Sequence, residues 1–192
     1  MSETEIGSFY PSSKEEWRKW LQKYHSKKQS VWLIYYKKAS GIPTISWSEA
    51  VDEALCFGWV DSKKKPIDGE KYMQFFSRRK LNGTWSVINK KKTEQLIEQG
   101  LMSKAGFESI EAARKNGSWT IFDQPETLEI PKDLEKEFKT RPGSKDFFTS
   151  LSKSARKSIL QWLVLAKRPE TRQKRISEIA ELAAQKKKPK QF

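Results

Sequence analysis

The stretch Leu55-Cys56-Phe57-Gly58-Trp59-Val60-Asp61 decides the fold of this chain, because a helical pattern ends in it and a strand pattern begins. Before it, Ser46-Trp47-Ser48-Glu49 forms a capping box that opens a helix. The apolar face of this helix falls within Ala50–Leu55, at helical spacing. Gly58 is suited to end the helix, because glycine readily adopts the left-handed conformation found after helix C-termini.

A β-hairpin is predicted from Trp59 to Phe76, directly after this glycine. Its turn residues lie in Pro66-Ile67-Asp68-Gly69, and the residues from Tyr72 onward alternate between two faces. Val31-Trp32-Leu33-Ile34-Tyr35-Tyr36 is a short continuous run of β-branched and aromatic residues, which is typical of a strand covered on both faces. We therefore expect this run to be a central strand.

Helical patterns surround these strands. The first runs from about Lys14 to Ser26, after a capping box at Ser12 or Ser13. Thr84 is suited to cap a helix that continues to Gln99, and Ser103 to cap the next one. The segment from Trp119 to Pro131 indicates irregular structure or a short strand. Beyond it the strand patterns disappear, and helical patterns begin at Pro131, Ser144, the residues before Ile159, and Pro169.

These patterns predict an α+β fold: a small, mostly antiparallel sheet flanked by helices, followed by an all-helical C-terminal region. The predicted division is an α+β domain over residues 1–130 that carries the candidate pocket, and a basic helical region over 131–192. That helical region is either a separate small bundle or packed back on the sheet. Residues 186–192 are predicted to be disordered.

Charge favours anionic partners. The net charge is +14, and residues 151–192 carry twelve Lys or Arg against three Glu, a net of +9. Nucleic acid, anionic lipid headgroups and acidic proteins all suit such a surface. No apolar run approaches the roughly 18 residues of a membrane span. The polar segment Met1–Ile6 lacks the features of an export signal, so we expect a cytoplasmic location.

A candidate anion site lies in the middle of the chain. Asp61, beside Trp59, is predicted to face Arg78-Arg79-Lys80 across the hairpin, with Trp85, Ser86 and Asn89 at the start of a helix whose free N–H groups suit an anion. The first interpretation is a pocket for a small anionic ligand, with stacking area from the aromatic rings. The alternative is a structural ion pair with Trp59 in the core.

Three lysine runs suggest a second function, nucleic-acid binding through phosphate contacts and aromatic stacking. They are Lys63-Lys64-Lys65, Lys90-Lys91-Lys92 and Lys186-Lys187-Lys188. Solvated surface is the alternative interpretation of such runs. The chain contains no helix-turn-helix, RRM or zinc-finger signature.

Catalysis is not expected. Cys56 is interpreted as a small buried apolar residue, because the C-terminal end of a helix does not stabilise a thiolate. His25, the single histidine, falls on a different helix. The chain has no glycine-rich nucleotide motif, paired-carboxylate motif or metal cluster, so we expect no catalytic residues, no metal and no cofactor.

Four segments carry a resemblance to a known family: Ala54–Asp61, Tyr72–Arg79, Thr84-Trp85-Ser86 with Asn89, and Ala166–Arg172. On these, the chain resembles the YdeI/OmpD-associated family, also called the bacteriocin-protection family, over nearly its whole length. The resemblance implies protection against bacteriocins or antimicrobial peptides and association with an outer-membrane porin, and it brings no catalytic residues. We expect a non-enzymatic binding protein linked to envelope or antimicrobial-peptide stress, with an anionic ligand or partner; the alternative is a cytoplasmic nucleic-acid-binding protein.

Overall fold

The helix before Gly58 and the hairpin after it form as the sequence predicts. Ser46 caps the helix with both hydrogen bonds of a capping box, and the hairpin turn closes with the Ile67 N–H donating to Lys71 O at 3.0 Å. The computed structural model describes residues 7–190. Its strands are β1 (Ser8–Phe9), β2 (Ser30–Tyr36), β3 (Trp59–Pro66) and β4 (Lys71–Arg78), and its α-helices are α1 (Lys14–Tyr24), α2 (Trp47–Cys56), α3 (Val87–Glu98), α4 (Lys104–Lys115), α5 (Asp123–Thr127), α6 (Lys132–Lys139), α7 (Ser144–Ser150), α8 (Lys153–Val164) and α9 (Pro169–Ala184).

The strands form one mixed sheet in the order β1-β2-β4-β3. The pairs β2–β4 and β3–β4 are antiparallel, and β1 lies parallel to β2. With the helices around it and the helical C-terminal region, this confirms the predicted α+β fold. Strand β1 was not predicted, because two residues are too few to show a period.

The chain divides into two compact units, residues 1–119 and 120–192. The division falls at the start of the segment 119–131, beyond which the strand patterns disappear from the sequence. Whether the second unit is an independent domain, as in the predicted division into 1–130 and 131–192, stays a prediction.

The core of the first unit is built from large aromatic rings. Trp17, Trp59, Phe76 and Trp85 are fully buried, together with aliphatic residues such as Leu33. The indole of Trp17 also donates a hydrogen bond to Ala50 O at 3.1 Å, which joins α1 to α2. A buried indole needs such a partner, because an unpaired N–H in the core lowers stability.

Helix α4 lies unusually close to the end of α2. A methyl group at Gly106 would meet Cys56 O at 2.5 Å, and one at Gly58, whose φ is +69°, would meet Ala105 O at 3.0 Å. Ser103 fixes the approach, because its hydroxyl donates to Cys56 O at 2.6 Å. The two glycines therefore allow α4 to form one wall of a pocket beside Gly58.

The second unit is helical in its described part, as predicted. Its core contains Leu134, Phe148, Leu163 and Ile179, all almost inaccessible to solvent. In the segment 119–131, which was predicted to be irregular or a short strand, residues 123–127 form α5 instead, whereas the other residues lie in turns or irregular structure as predicted. Asp123, Pro125 and Glu126 in the first turns of α5 suit a short helix start, through the fixed φ of proline and favourable charge at the N-terminal end.

The predicted disorder of 186–192 concerns residues that are only partly described. Within 186–190, Pro189 is buried and the Lys187 N–H donates to Leu182 O at 2.8 Å. Residues 191–192 lie outside the described residues, and so does the segment 1–6, on which the prediction of a missing export signal rests.

Candidate functional site

A pocket of about 300 Å³ lies beside Gly58 in the first unit. The C-terminal end of α1, the loop after α2, the end of β4 and one face of α4 form its walls. Its lining residues are His25, Phe57, Gly58, Arg78, Arg79, Leu81, Ala105, Glu108, Ser109 and Ala112.

Arg79 is the most unusual side chain of this pocket. Its guanidinium carbon lies 3.7 Å from the centre of the Trp85 ring, and Nη1 donates to Thr84 O at 2.8 Å. Nε and Nη2 are inaccessible to solvent and have no hydrogen-bond partner among the described residues. Burial lowers the pKa of Arg79 to about 10, although the charge of Asp61 acts in the opposite direction. A buried cation with two unused donors is costly, so an acceptor is needed at this position.

Arg78 is held by the end of α1. Its Nε donates to His25 O and its Nη2 to Ser26 O, both at 2.7 Å. These carbonyls belong to the turn that follows α1, where a positive charge is favourable. The same bonds fix the guanidinium in the lining of the pocket.

His25, Glu108 and Ser109 complete the polar lining, and the sequence did not identify them as site residues. The His25 Nδ1 lies 2.8 Å from Leu21 O, so this nitrogen carries a proton, because a carbonyl oxygen only accepts. Glu108 lies at 3.9 Å from Lys104, and its side chain is 63% exposed. Its charge is therefore screened by solvent and is a weak counter-ion for the arginines.

The two predicted tryptophans do not line this pocket. Trp59 is fully buried, and its indole donates to His25 O at 3.4 Å, which places it in the core as the alternative interpretation expected. Trp85 is also fully buried and supports Arg79 from behind. Its Nε1 is a further buried donor without a partner among the described residues.

Ser86 and Asn89 have a structural task. Ser86, and not Thr84 as predicted, is the N-cap of α3, and its hydroxyl accepts a hydrogen bond from the Asn89 N–H at 3.2 Å. This bond occupies one of the N–H groups at the start of α3 that were predicted to be free to bind an anion. Of the seven candidate residues, the structure brings Arg78 and Arg79 together in the pocket.

Asp61 lies in a separate pocket of about 400 Å³ on the hairpin. Its Oδ2 accepts from the indole of Trp47 at 3.0 Å and from the amide of Gln74 at 3.1 Å. Its hydrogen-bond partners are therefore neutral groups and not the cations of the run 78–80.

The first two of the three lysine runs differ in their surroundings. In the first, Lys64 lies 4.0 Å from the centre of the Tyr72 ring, Lys65 lies 5.2 Å from that of Trp32, and Lys63 is exposed. In the second, Lys91 is exposed, whereas Lys90 lies over Trp119 and Lys92 pairs with Asp52 at 2.5 Å. The charge of Lys92 is therefore offset by a carboxylate.

Cys56 is fully buried, and burial raises the pKa of its thiol to about 11. Such a thiol is a poor nucleophile at neutral pH. Between residues 7 and 190, no group of three or more His, Cys, Asp or Glu side chains is placed to hold a metal ion. Within the same range, no helix has the length and apolar character needed to cross a membrane.

Fold and site together define an α+β protein with an arginine-lined pocket and a second, helical unit. Residues 9–109 match the family described as "Domain of unknown function (DUF8412)", and residues 127–186 match the family described as "Bacteriocin-protection, YdeI or OmpD-Associated". The chain belongs to the DUF8412 family, whose model covers just over half of it, and its second unit is similar to the YdeI/OmpD-associated family over residues 127–186.

This result confirms the suspected resemblance to the YdeI/OmpD-associated family in the second unit, whereas the first unit matches a different family model. Of the four matching segments, Ala166–Arg172 falls within the YdeI/OmpD-associated match, and the other three fall within the DUF8412 match. Comparison with curated proteins and with solved structures found no match.

Proposed function

We propose that this is a non-enzymatic binding protein that holds a small organic anion in the pocket lined by Arg78 and Arg79. The observation that carries the proposal is the buried guanidinium of Arg79, whose Nε and Nη2 have no acceptor among the described residues. Native proteins satisfy almost all buried donors, so an acceptor from outside the chain is the expected partner. Because both nitrogens are inaccessible to solvent in the free structure, the guanidinium must shift toward the pocket to meet this acceptor. A planar carboxylate accepts from two such N–H groups at once.

The other walls suit a ligand with an apolar body. Phe57, Leu81, Ala105 and Ala112 contribute carbon surface, and the volume of about 300 Å³ suits a small molecule. Arg78 adds a second positive charge to the lining. A monocarboxylate with an aromatic or branched body satisfies both the charge and the shape.

The biological role that we propose follows the family description. In this role the protein acts in the cytoplasm, where binding of an anionic metabolite or an anionic partner contributes to the response to bacteriocin or antimicrobial-peptide stress. Direct capture of the peptides is disfavoured, because many are cationic and the chain carries a net charge of +14. The cytoplasmic location stays a prediction.

Thermal unfolding with sodium benzoate as the probe tests the anion site. Sodium chloride at equal ionic strength is the reference, so that general screening cancels. A ligand at about 100 times its Kd stabilises the folded state by about 2.7 kcal/mol, which is readily seen as a rise in Tm. We expect benzoate to raise the Tm of the wild-type protein. Inorganic phosphate should raise it less, because it lacks the apolar body.

Two variants locate the effect. Ala112→Leu adds side-chain volume to the α4 wall and leaves both arginines in place, so it should abolish the benzoate shift. Lys104→Gln removes a charge from the same helix at a side chain that is 91% exposed, and it should leave the shift unchanged. A benzoate shift that persists in Ala112→Leu, or its absence from the wild-type protein, would refute the anion pocket.

A further inference from the structure

The β3–β4 hairpin carries a second recess, independent of the arginine pocket. Two adjoining pockets, of about 400 Å³ and 550 Å³, share Lys64 and Tyr72 as lining residues. The first pocket also contains Trp47, Asp61 and Gln74. We call the two together the hairpin groove.

The second pocket of the groove gathers positive charge. Lys37, Lys64 and Lys71 all line it. Lys64 lies over the Tyr72 ring at 4.0 Å, and Lys71 lies 3.3 Å from Asp68 in an exposed pair that solvent screens. The ammonium of Lys37 donates to Gly69 O at 2.7 Å. Three lysines that line one pocket are suited to the phosphates of a flexible strand.

Trp47 supplies a stacking surface in the first pocket. Its side chain is 49% exposed, which is unusual for such a large ring. The indole does not move freely, because Nε1 donates to Asp61 Oδ2 at 3.0 Å. An exposed ring held by its own hydrogen bond is preorganised to stack on a planar ligand.

Asp61 and Gln74 present acceptors beside this ring. Both hydrogen bonds to Asp61 reach Oδ2, and within residues 7–190 its Oδ1 has no hydrogen bond. The Gln74 Nε2 donates to Asp61 Oδ2 at 3.1 Å and to Ser62 O at 3.0 Å. These two bonds fix the orientation of the amide and leave its Oε1 as an acceptor. Beside the Trp47 ring the first pocket therefore offers acceptors at Asp61 and Gln74, which suit a ligand group that carries N–H donors.

We propose that the hairpin groove binds single-stranded nucleic acid and favours bases with an amino group on their exposed edge. One base stacks on Trp47 and donates its amino group to Asp61, while the neighbouring phosphates lie near Lys37, Lys64 and Lys71. Duplex DNA does not fit this scheme, because its bases are stacked on one another and cannot reach the indole. A neutral oligosaccharide would use the ring and the carboxylate but would leave the three lysines without a role.

Fluorescence anisotropy with labelled oligo(dC) and oligo(dT) of about 12 nucleotides tests this proposal. Cytosine carries an amino donor where thymine carries a carbonyl oxygen, so oligo(dC) should bind about tenfold more tightly. Three phosphate contacts to a single strand predict a log–log salt slope of about −2. No binding of either oligonucleotide at about 50 mM salt overturns the proposal.

Variants assign the three parts of the groove. Trp47→Ala should weaken binding of both oligonucleotides about tenfold, since one stacked base is lost. Asp61→Asn should remove the preference for oligo(dC), and Lys64→Gln should reduce the salt slope by about 0.7. Unchanged binding in Trp47→Ala, or an unchanged base preference in Asp61→Asn, overturns the proposal.

One further variant acts as a control for charge. Lys104→Gln lies on α4, outside the groove, and should bind as the wild type does. Equal losses in Lys104→Gln and Lys64→Gln would show that binding follows general charge and refute the groove, without bearing on the benzoate result.

Discussion

Replacement of Arg79 by methionine should change the stability of the free protein very little, although the side chain is largely buried. The pKa of Arg79, lowered to about 10, means that burial destabilises the charged side chain by about 3 kcal/mol at neutral pH, since one pKa unit corresponds to about 1.36 kcal/mol. The substitution removes this cost. It also removes the contact with the Trp85 ring, of about 1 kcal/mol, and the hydrogen bond to Thr84 O, of about 1 to 2 kcal/mol. These contributions nearly cancel, and the net change should lie within about 1 kcal/mol of zero.

Arg18 provides a matched control. It pairs with Glu53 at 2.7 Å, and the Glu53 side chain is only 10% exposed. Its Nη2 also donates to Leu101 O at 2.7 Å. Arg18→Met leaves the buried carboxylate of Glu53 without its partner, so it should destabilise the protein by about 3 kcal/mol.

Denaturant unfolding followed by tryptophan fluorescence measures both variants. Seven of the eight tryptophans lie in residues 1–119, so the signal reports mainly on the first unit. If Arg79→Met lowers the free energy of unfolding as much as Arg18→Met does, the guanidinium of Arg79 is already satisfied in the free protein. In that case the argument for an anion as its missing partner fails. Arg79→Met should also lose the benzoate shift, since the binding donors are gone.

Three further predictions concern packing and ionisation. Gly106→Ala should lower the free energy of unfolding by about 1 to 3 kcal/mol, because the new methyl group meets a backbone oxygen at 2.5 Å, whereas Gly69→Ala, with nothing within 4 Å, should change it by less than about 0.5 kcal/mol. Cys56 should react slowly with iodoacetamide in the folded protein at neutral pH and quickly in denaturant. Because folding raises the pKa of its thiol from 9.0 to about 11, the contribution of the neutral thiol to stability is lost as the pH rises between those two values. Arg172 lies 2.6 Å from Asp133 and holds the pKa of this carboxyl group below its usual value, so the pair stabilises the folded state at pH values above the pKa of the unfolded chain and loses this effect as the pH falls through the lowered pKa. Since the Asp133 side chain is 40% exposed, Asp133→Asn should lower the free energy of unfolding by at most about 1 kcal/mol near pH 6 and leave it unchanged near pH 2, as measured by urea titration.

The elements that were predicted correctly have local causes. The capping box at Ser46, the turn at Pro66–Gly69 and the alternation along β4 depend on residues a few positions apart, whose hydrogen bonds and periods can be read from the chain. The errors also lie where local information is weak. Strand β1 exists only through its pairing with β2, and the short helix α5 carries no apolar period.

The candidate site was only half predictable for a related reason. Arg78 and Arg79 follow a strand pattern directly, so their place at the end of β4 could be inferred. The partners that surround them come from the end of α1 and from α4, and neither spacing nor composition links His25 or Ser109 to this strand. The aromatic neighbours of the cations were expected to line a pocket, but burial in the core was more favourable for Trp59 and Trp85.

The sequence by itself determined the α+β class, most of the helix and strand boundaries, the excess positive charge and the family, because capping, turn chemistry and periodicity act over a few residues. Only the tertiary structure decided that two donors of Arg79 lack an acceptor among the described residues and that the Trp47 ring is exposed. Those properties depend on atoms that are far apart in the chain, such as the carbonyl of His25 and the guanidinium of Arg78. Long-range packing brings them together, and it therefore creates both the arginine pocket and the hairpin groove.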